Sequence, residues 1–308
     1  MNIIPTIKLN NGVEIPAIGI GPGIVGEKLK PSLPSNSIFA KIERKFTSRF
    51  RARLARHDYI KGVANALTLG YRLIDYSFAY GDGSEILEAV KMSGLTREDV
   101  FLTSRVSNNQ QFSGTVREDF LRGLEKIGLD YIDLFMFHWP VTDHFVDTYK
   151  EMERLYKEGY VKVLGVANCH QHHLQDIIDN CEIIPAIDQI ELHPLFTQKP
   201  LVEFCHKHGI NIEAYTPLAR NDDRLAKNLI MKELARKYHK TIQQIILRWD
   251  IQLQQIPIPR SFNPDRQKQN IDIFDFSLTD EEIKAIDSIN INSRLRFDPD
   301  NLDFHSIG

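Results

Sequence analysis

Eight short apolar runs alternate along the chain with segments of helical periodicity, and this alternation predicts an α/β fold in the form of a (β/α)8 barrel. The runs span about 250 residues, the usual length of such a barrel. An open, doubly wound sheet is the alternative, but no G-x-G-x-x-G sequence follows an early strand. The runs are 17–21, 73–75, 100–105, 132–138, 163–168, 186–191, 211–215 and 256–260.

The chain begins with a predicted β-hairpin over residues 6–15. Asn11-Gly12 is its turn signal, since both central residues of a two-residue hairpin turn take positive φ. A period of 3.6 residues predicts helices over 116–127, 145–157, 229–238 and 241–253. The capping-box sequence T-D-E-E at 279–282 begins a helix that runs to Ile289. No linker or low-complexity segment divides the 308 residues, so we predict one domain over 1–308.

Residues 25–57 follow the first strand and interrupt the alternation, and we interpret them as an insertion within the barrel. Segment 41–56 carries seven Lys/Arg and one Glu. Three roles stay open for this basic helix: a solvated helix on the barrel, a lid that favours anionic substrates, or a contact with an anionic membrane surface or a partner protein. Its amphipathic stripe recurs every fourth residue at Ile38, Ile42, Phe46, Phe50 and Leu54.

Composition is that of a globular protein, with 42% hydrophobic and 26% charged residues. A net charge of −3 gives no general attraction to nucleic acid. Cys169, Cys181 and Cys205 are interpreted as reduced thiols. We find no secretory signal pattern and no apolar stretch of about 18 residues. We therefore expect a cytoplasmic protein without a transmembrane segment, and a monomer as the default state.

Polar or aromatic residues end successive apolar runs. The active site of a parallel barrel forms at the C-terminal ends of its strands, so these residues are predicted to converge. Seven in succession indicate a functional constellation rather than a series of loop residues. They are Asp75, Arg105, His138, Asn168, Gln189, Tyr215 and the pair Arg260-Ser261.

The sequences around these positions resemble the aldo-keto reductase family, over nearly the whole chain except 25–57. The resemblance implies an enzyme that reduces aldehydes and ketones with NADPH through an Asp, Tyr, Lys and His tetrad. The matching segments are GYRLIDYSFAYG (70–81), DVFLTSRV (99–106), DYIDLFMFHWP (130–140), KVLGVANC (162–169), IDQIELHP (187–194), AYTPL (214–218), IPRSFNPDRQKQN (258–270) and the tail RFDPDNLDF (296–304).

By this resemblance Tyr80 is the proton donor, His138 orients the carbonyl, and Asp75 partners the cation. The lysine position of the family is Arg105 here. A neighbouring cation stabilises phenolate and lowers the pKa of a tyrosine. Arginine supplies that charge but loses no proton at ordinary pH, and its planar fork differs in reach from an ammonium.

The resemblance also assigns the cofactor contacts. The nicotinamide carboxamide is held by Asn168 and Gln189, and Tyr215 stacks on its ring. Trp139 lines the substrate pocket. The contacts on the adenosine side are Arg260, Ser261 and Arg266 for the 2′-phosphate, which favour NADPH over NADH, and Gln269 and Asn270 for the adenine.

Two functions remain open at this point. The first is an NADPH-dependent carbonyl reductase that acts on a small-molecule substrate. The second is a catalytically weak or inactive NADP(H)-binding protein that serves as a redox sensor or binds a partner through the basic helix. His170, His172 and His173 follow Asn168, but the nearby sequence has no carboxylate at ligand spacing, so we expect no metal site.

Overall fold

The computed structural model of the protein describes residues 4–23, 38–77 and 83–307; for 38–53 and 307 only the backbone is described. Tyr80 lies outside them, as do residues 25–37 of the predicted insertion 25–57.

Eight parallel strands form the barrel, and each pairs with the next in chain order. They are β3 (Gly19–Ile20), β4 (Leu73–Asp75), β5 (Phe101–Val106), β6 (Ile132–Phe137), β7 (Val161–Ala167), β8 (Ile187–Glu191), β9 (Asn211–Tyr215) and β10 (Ile256–Pro257). Gly21 N–H donates to the carbonyl of Pro259 (3.4 Å) beside the first and last strands. The predicted (β/α)8 barrel is confirmed.

Twelve helices accompany these strands in the described part of the chain. They are α1 (Ile38–Leu69), α2 (Ser84–Met92), α3 (Asn108–Ser113), α4 (Val116–Ile127), α5 (Phe145–Lys157), α6 (Gln171–Asn180), α7 (Lys199–Lys207), α8 (Asp223–Lys227), α9 (Leu229–Tyr238), α10 (Ile242–Gln252), α11 (Pro264–Ile271) and α12 (Asp280–Asp287). The capping box predicted at Thr279 forms, and a second one is present at Thr241.

The N-terminal hairpin pairs β1 (Thr6–Lys8) with β2 (Glu14–Pro16). Its Leu9 and Ile15 pack with Leu73 and Phe101, at the starts of their strands, in one apolar cluster. The hairpin therefore covers the barrel end opposite the strands' C-terminal ends.

The turn of this hairpin differs from the two-residue turn that Asn11-Gly12 predicts. Leu9 N–H donates to the carbonyl of Val13, and Gly12 N–H donates to the carbonyl of Leu9, both at 2.9 Å. In this three-residue loop Gly12 has positive φ (86°), whereas Asn11 does not. The geometry is that of a turn followed by a single left-handed residue, for which glycine suffices.

Helix α1 is continuous and about 48 Å long at 1.5 Å per residue. The basic segment 41–56 and the first helix of the barrel are therefore parts of one helix. Its later residues Tyr59 and Val63 are buried in the core. Arg56 pairs with Glu85 (3.2 Å) and Glu88 (2.7 Å) of α2. Leu54, the described side chain of the predicted stripe, is 47% exposed. The three roles suggested for the basic helix stay predictions.

All three cysteines are free thiols, as the sequence predicts. Among the described residues, the helices are too short or too polar to cross a membrane.

Candidate active site

A cavity of about 330 Å³ lies at the C-terminal ends of the strands. Eight of the predicted site residues line it, although they are scattered over nearly 190 positions of the chain. The parallel barrel brings them together because every strand delivers its last residues to the same rim. They are Asp75, Arg105, His138, Trp139, Asn168, Gln189, Tyr215 and Arg260.

An ion pair between Asp75 and Arg105 forms the floor of this cavity. Nη2 of Arg105 donates to Oδ1 of Asp75, and both side chains are less than 10% exposed. The pair forms because β4 and β5 are neighbours, with Asp75 beside Thr103 in the register. Nε2 of Gln189 donates to Oδ1 of Asp75 (3.2 Å) and to Oε2 of Glu213 (2.8 Å).

Two carboxyl groups, those of Asp75 and Glu213, thus share the side-chain amide of Gln189. Burial, with the negative charge of Asp75, raises the pKa of Glu213 to about 8. Burial also raises the pKa of Asp75, while the charge of Arg105 and the hydrogen bond from Gln189 lower it. Asp75 has the direct contact with the guanidinium, so we infer that it carries the negative charge and that Glu213 holds a proton at neutral pH.

His138 stands above this floor on the wall of the cavity. Burial, together with the positive charges of Arg105 and Arg296, lowers the pKa of His138 to about 3. Its imidazole is therefore neutral at neutral pH and is available for hydrogen bonding.

Asn168 and Tyr215 are hydrogen-bonded to each other on the part of the wall next to His138. Nδ2 of Asn168 donates to the carbonyl of His138 (2.9 Å), and the hydroxyl of Tyr215 donates to Oδ1 of Asn168 (2.7 Å). Asn168 has φ 59° and the neighbouring Thr216 has φ 55°. Positive φ costs about 1–3 kcal/mol for such residues and concentrates at functional sites. The strain accords with a wall that is held for binding.

Arg260 reaches the cavity past a glycine. A Cβ atom added at Gly23, which has φ 67°, would stand 2.9 Å from Nη1 of Arg260. Ser261 and Arg266 flank the beginning of α11, where Asn263 accepts a hydrogen bond from the backbone of Arg266 (3.0 Å). A helix N-terminus with nearby arginines suits a phosphate.

Four predicted cofactor residues do not line the cavity: Ser261, Arg266, Gln269 and Asn270. Gln269 lines a separate cavity of about 290 Å³ between α1 and α11, and Asn270 is buried. Their assignment to the adenosine end of the cofactor stays a prediction.

The tail that follows α12 supplies a further cavity residue, Arg296; the family resemblance of segment 296–304 was the available signal, but it assigned Arg296 no role. Its backbone N–H donates to Oε2 of buried Glu191 (2.8 Å), and Leu295 N–H donates to Oε1 (2.6 Å). Phe304, also in the tail, packs with Trp139. Arg220 and Asn221 line the cavity as well; both have positive φ, and the nearby turn residues Pro217 and Asp222 were the available signal.

Comparison with known proteins adds a family assignment. The model described as "Aldo/keto reductase family" matches residues 46–291. The chain is 36% identical over 299 residues to the glyoxal reductase of Bacillus subtilis, covering 97% of this chain and 98% of that protein.

Two solved structures are similar over nearly their full lengths. The aldo-keto reductase MGS-M4, from a Medee basin deep-sea metagenome library, has a TM-score of 0.83 at 35% identity, covering 97% of this chain and 100% of that one. The Bombyx mori aldo-keto reductase, solved in complex with NADP, has a TM-score of 0.80 at 32% identity, and 97% of each chain is covered.

Proposed function

The chain belongs to the aldo/keto reductase family and is an oxidoreductase; we propose that it reduces an aldehyde or ketone to the alcohol with NADPH as its cofactor. The observation that carries the proposal is the buried Asp75–Arg105 pair at the floor of a cavity whose wall holds His138. The similar glyoxal reductase and the similar NADP-bound structure support the reaction class and the cofactor.

The side-chain amides on the wall fit a carboxamide ligand. Nδ2 of Asn168 uses one hydrogen for the carbonyl of His138, which leaves a second N–H to donate. Both hydrogen bonds that we find for the amide of Gln189 are made by Nε2, so Oε1 remains as an acceptor. A carboxamide needs one donor and one acceptor, and Asn168 and Gln189 provide them. When bound there, the nicotinamide supplies the hydride.

We assign the proton to Tyr80. A carbonyl oxygen that gains negative charge needs a proton, and a phenol gives one readily only when a cation lowers its pKa. Arg105 supplies this charge, and Asp75 fixes the position of the guanidinium. Neutral His138 hydrogen-bonds the same oxygen and orients the carbonyl for attack. The charge of Arg105 and the hydrogen bond from His138 both act in a buried site, where electrostatic stabilisation is strongest.

On the substrate side, Trp139 and Arg296 line the cavity. The buried indole gives an apolar wall, and Arg296 gives an exposed positive charge at the mouth. This combination suits a small carbonyl compound that carries a polar or anionic group.

The test is turnover. Protein is mixed with NADPH and glyoxal, methylglyoxal and a panel of other aldehydes and ketones, and the loss of nicotinamide absorbance is followed. We expect saturable turnover, and we expect Tyr80→Phe to abolish most of it while Tyr131→Phe, at the other end of the barrel, does not. Quenching of fluorescence by NADPH without turnover of any carbonyl would instead indicate the NADP(H)-binding sensor.

A further inference from the structure

A cluster of histidines and aspartates lies outside the active-site cavity, where the tail meets the start of α6. Nδ1 of His170 lies 2.8 Å from Oδ2 of Asp300, and Nε2 of His172 lies 3.2 Å from Oδ1 of Asp300. Sequence spacing supplies no carboxylate to these histidines, but the tail brings one from 130 residues away. The reason for expecting no metal site therefore does not hold.

We propose that His170, His172 and Asp300 form a binding site for a divalent transition-metal ion of the zinc class, which fastens the C-terminal tail to the barrel. One ligand atom from each residue lies within 4.8 Å of the other two. Ligands at about 2.0–2.2 Å from a tetrahedral zinc ion are about 3.3–3.6 Å apart. His170 contacts one oxygen of the Asp300 carboxylate and His172 contacts the other, so binding one ion requires only small shifts of the two imidazoles toward it.

Two imidazoles and a carboxylate form a ligand set of the kind that zinc, cobalt and nickel prefer. The side chains of His172 and Asp300 are 59% and 41% exposed. An ion can therefore enter from solvent, and water can complete its coordination.

The protonation of His170 shows what the ion would replace. Nη2 of Arg294 donates to Nε2 of His170 (3.0 Å), and a guanidinium only donates. Nε2 is therefore an acceptor, and the proton is on Nδ1, where it points at Asp300. A metal ion on Nδ1 takes the place of this proton and moves it to Nε2. Oδ1 of Asp298, 3.8 Å from Nε2, is positioned to accept it, the usual carboxylate support of a metal-bound histidine.

Arg294 opposes the ion in two ways. Its positive charge lies beside the site, and its hydrogen bond to His170 must break when Nε2 becomes a donor. We therefore expect an affinity in the micromolar range rather than the tighter binding of a fully enclosed structural site.

His173 supports the site without ligating the ion. Its Nδ1 accepts a hydrogen bond from the backbone N–H of His170 (3.1 Å), so its proton is on Nε2. The ring packs edge-on against Phe145, with 5.4 Å between the ring centroids, and its Nε2 lies 3.7 Å from Oδ1 of Asp300. The ring also lies 3.9 Å from that of His172, which restricts the position of the second ligand.

The site acts on the tail because Asp300 stands between two tail residues that reach the active-site region. Arg296 lines the cavity, and the carbonyl of Phe304 accepts a hydrogen bond from Asn108 (3.2 Å). An ion at Asp300 holds both sides of this segment against α6. Metal binding is thus expected to raise the thermal midpoint of the protein, since an ion that binds the native state stabilises it.

The experiment is titration of tag-free protein with Co²⁺ and Zn²⁺ at neutral pH, followed by calorimetry and by the visible absorption of Co²⁺. We expect one ion per chain and a tetrahedral Co²⁺ spectrum that Zn²⁺ displaces. His172→Gln and Asp300→Asn should each weaken binding at least about tenfold and cancel the rise in thermal midpoint. His206→Gln, an exposed histidine of α7, is the matched control and should change neither.

Several outcomes would overturn the proposal: no heat and no Co²⁺ spectrum, binding that survives both variants, or equal loss in His206→Gln. Circular dichroism of each metal-free variant shows whether it is folded. If Asp300→Asn is not, His172→Gln decides alone, because that side chain is largely exposed.

Discussion

Replacing Glu213 with glutamine tests the charge assignment at the floor of the cavity. Glutamine has nearly the same shape, and its carbonyl oxygen can still accept the hydrogen bond from Gln189. The variant removes only the titrating proton. Any change in the pH dependence of the free energy of unfolding therefore reports on Glu213 itself.

The magnitude follows from the pKa of Glu213, about 8 in the folded protein against an ordinary value of 4.5. One pKa unit corresponds to about 1.36 kcal/mol, so the proton stabilises the folded state by about 5 kcal/mol at low pH. Because the folded-state pKa is raised, this stabilisation is complete below about pH 4.5 and is lost as pH rises through about 8.

The assay is urea unfolding of the wild type and Glu213→Gln at several pH values. Between about pH 5.5 and 7.5 we expect the wild type to lose about 1.4 kcal/mol per pH unit relative to the variant. Glu118→Gln, an exposed position in α4, controls for the removal of a negative charge. If the wild type and Glu213→Gln keep a constant difference across this range, Glu213 is not the protonated partner of the ionised Asp75, and the charge assignment is wrong.

Substitutions at three further residues test the neighbouring roles. Arg105→Met leaves Asp75 buried without its cation, so we expect kcat to fall about a hundredfold or more and the free energy of unfolding to fall by about 3–5 kcal/mol. Arg105→Lys keeps the charge and should retain turnover. Equal loss of turnover in both variants would refute a purely electrostatic role of Arg105. Arg260→Ala should raise the KM for NADPH about ten- to a hundredfold and leave the KM for NADH unchanged, since a charge-assisted hydrogen bond contributes about 1.5–3 kcal/mol. An equal rise in KM for both cofactors would contradict the contact of Arg260 with the 2′-phosphate. Arg296→Gln should lower kcat/KM for carboxylate-bearing carbonyls about five-fold at low salt and leave neutral ones unaffected; an equal effect on both would show that Arg296 only supports the tail.

The convergence of the residues at the strand ends was predictable because two simple rules combine. Apolar runs mark buried strands, and a parallel barrel collects the C-terminal ends of all its strands on one rim. Asp75, His138 and Gln189 could therefore be placed together from sequence, far apart as they are in the chain. The pairing of Asp75 with Arg105 follows from the adjacency of β4 and β5.

Features that depend on a distant segment could not be predicted in this way. Arg296 reaches the cavity because Glu191 holds the backbone of the tail, and no periodicity encodes that contact. Asp300 lies in the same tail and contacts His170, which is 130 residues away in the chain. The prediction of a two-residue hairpin turn was wrong because Asn-Gly also occurs in three-residue loops, where only the glycine takes positive φ.

Tyr80 carries the central chemical claim, and one comparison tests it most directly. NADPH binding, by fluorescence, and turnover of methylglyoxal are measured on the same samples of wild type and Tyr80→Phe. We expect both proteins to bind NADPH with the same affinity and the variant to lose about 10²- to 10⁴-fold in kcat, the usual contribution of a general acid. Undiminished turnover in Tyr80→Phe would contradict the assignment of the proton to this phenol.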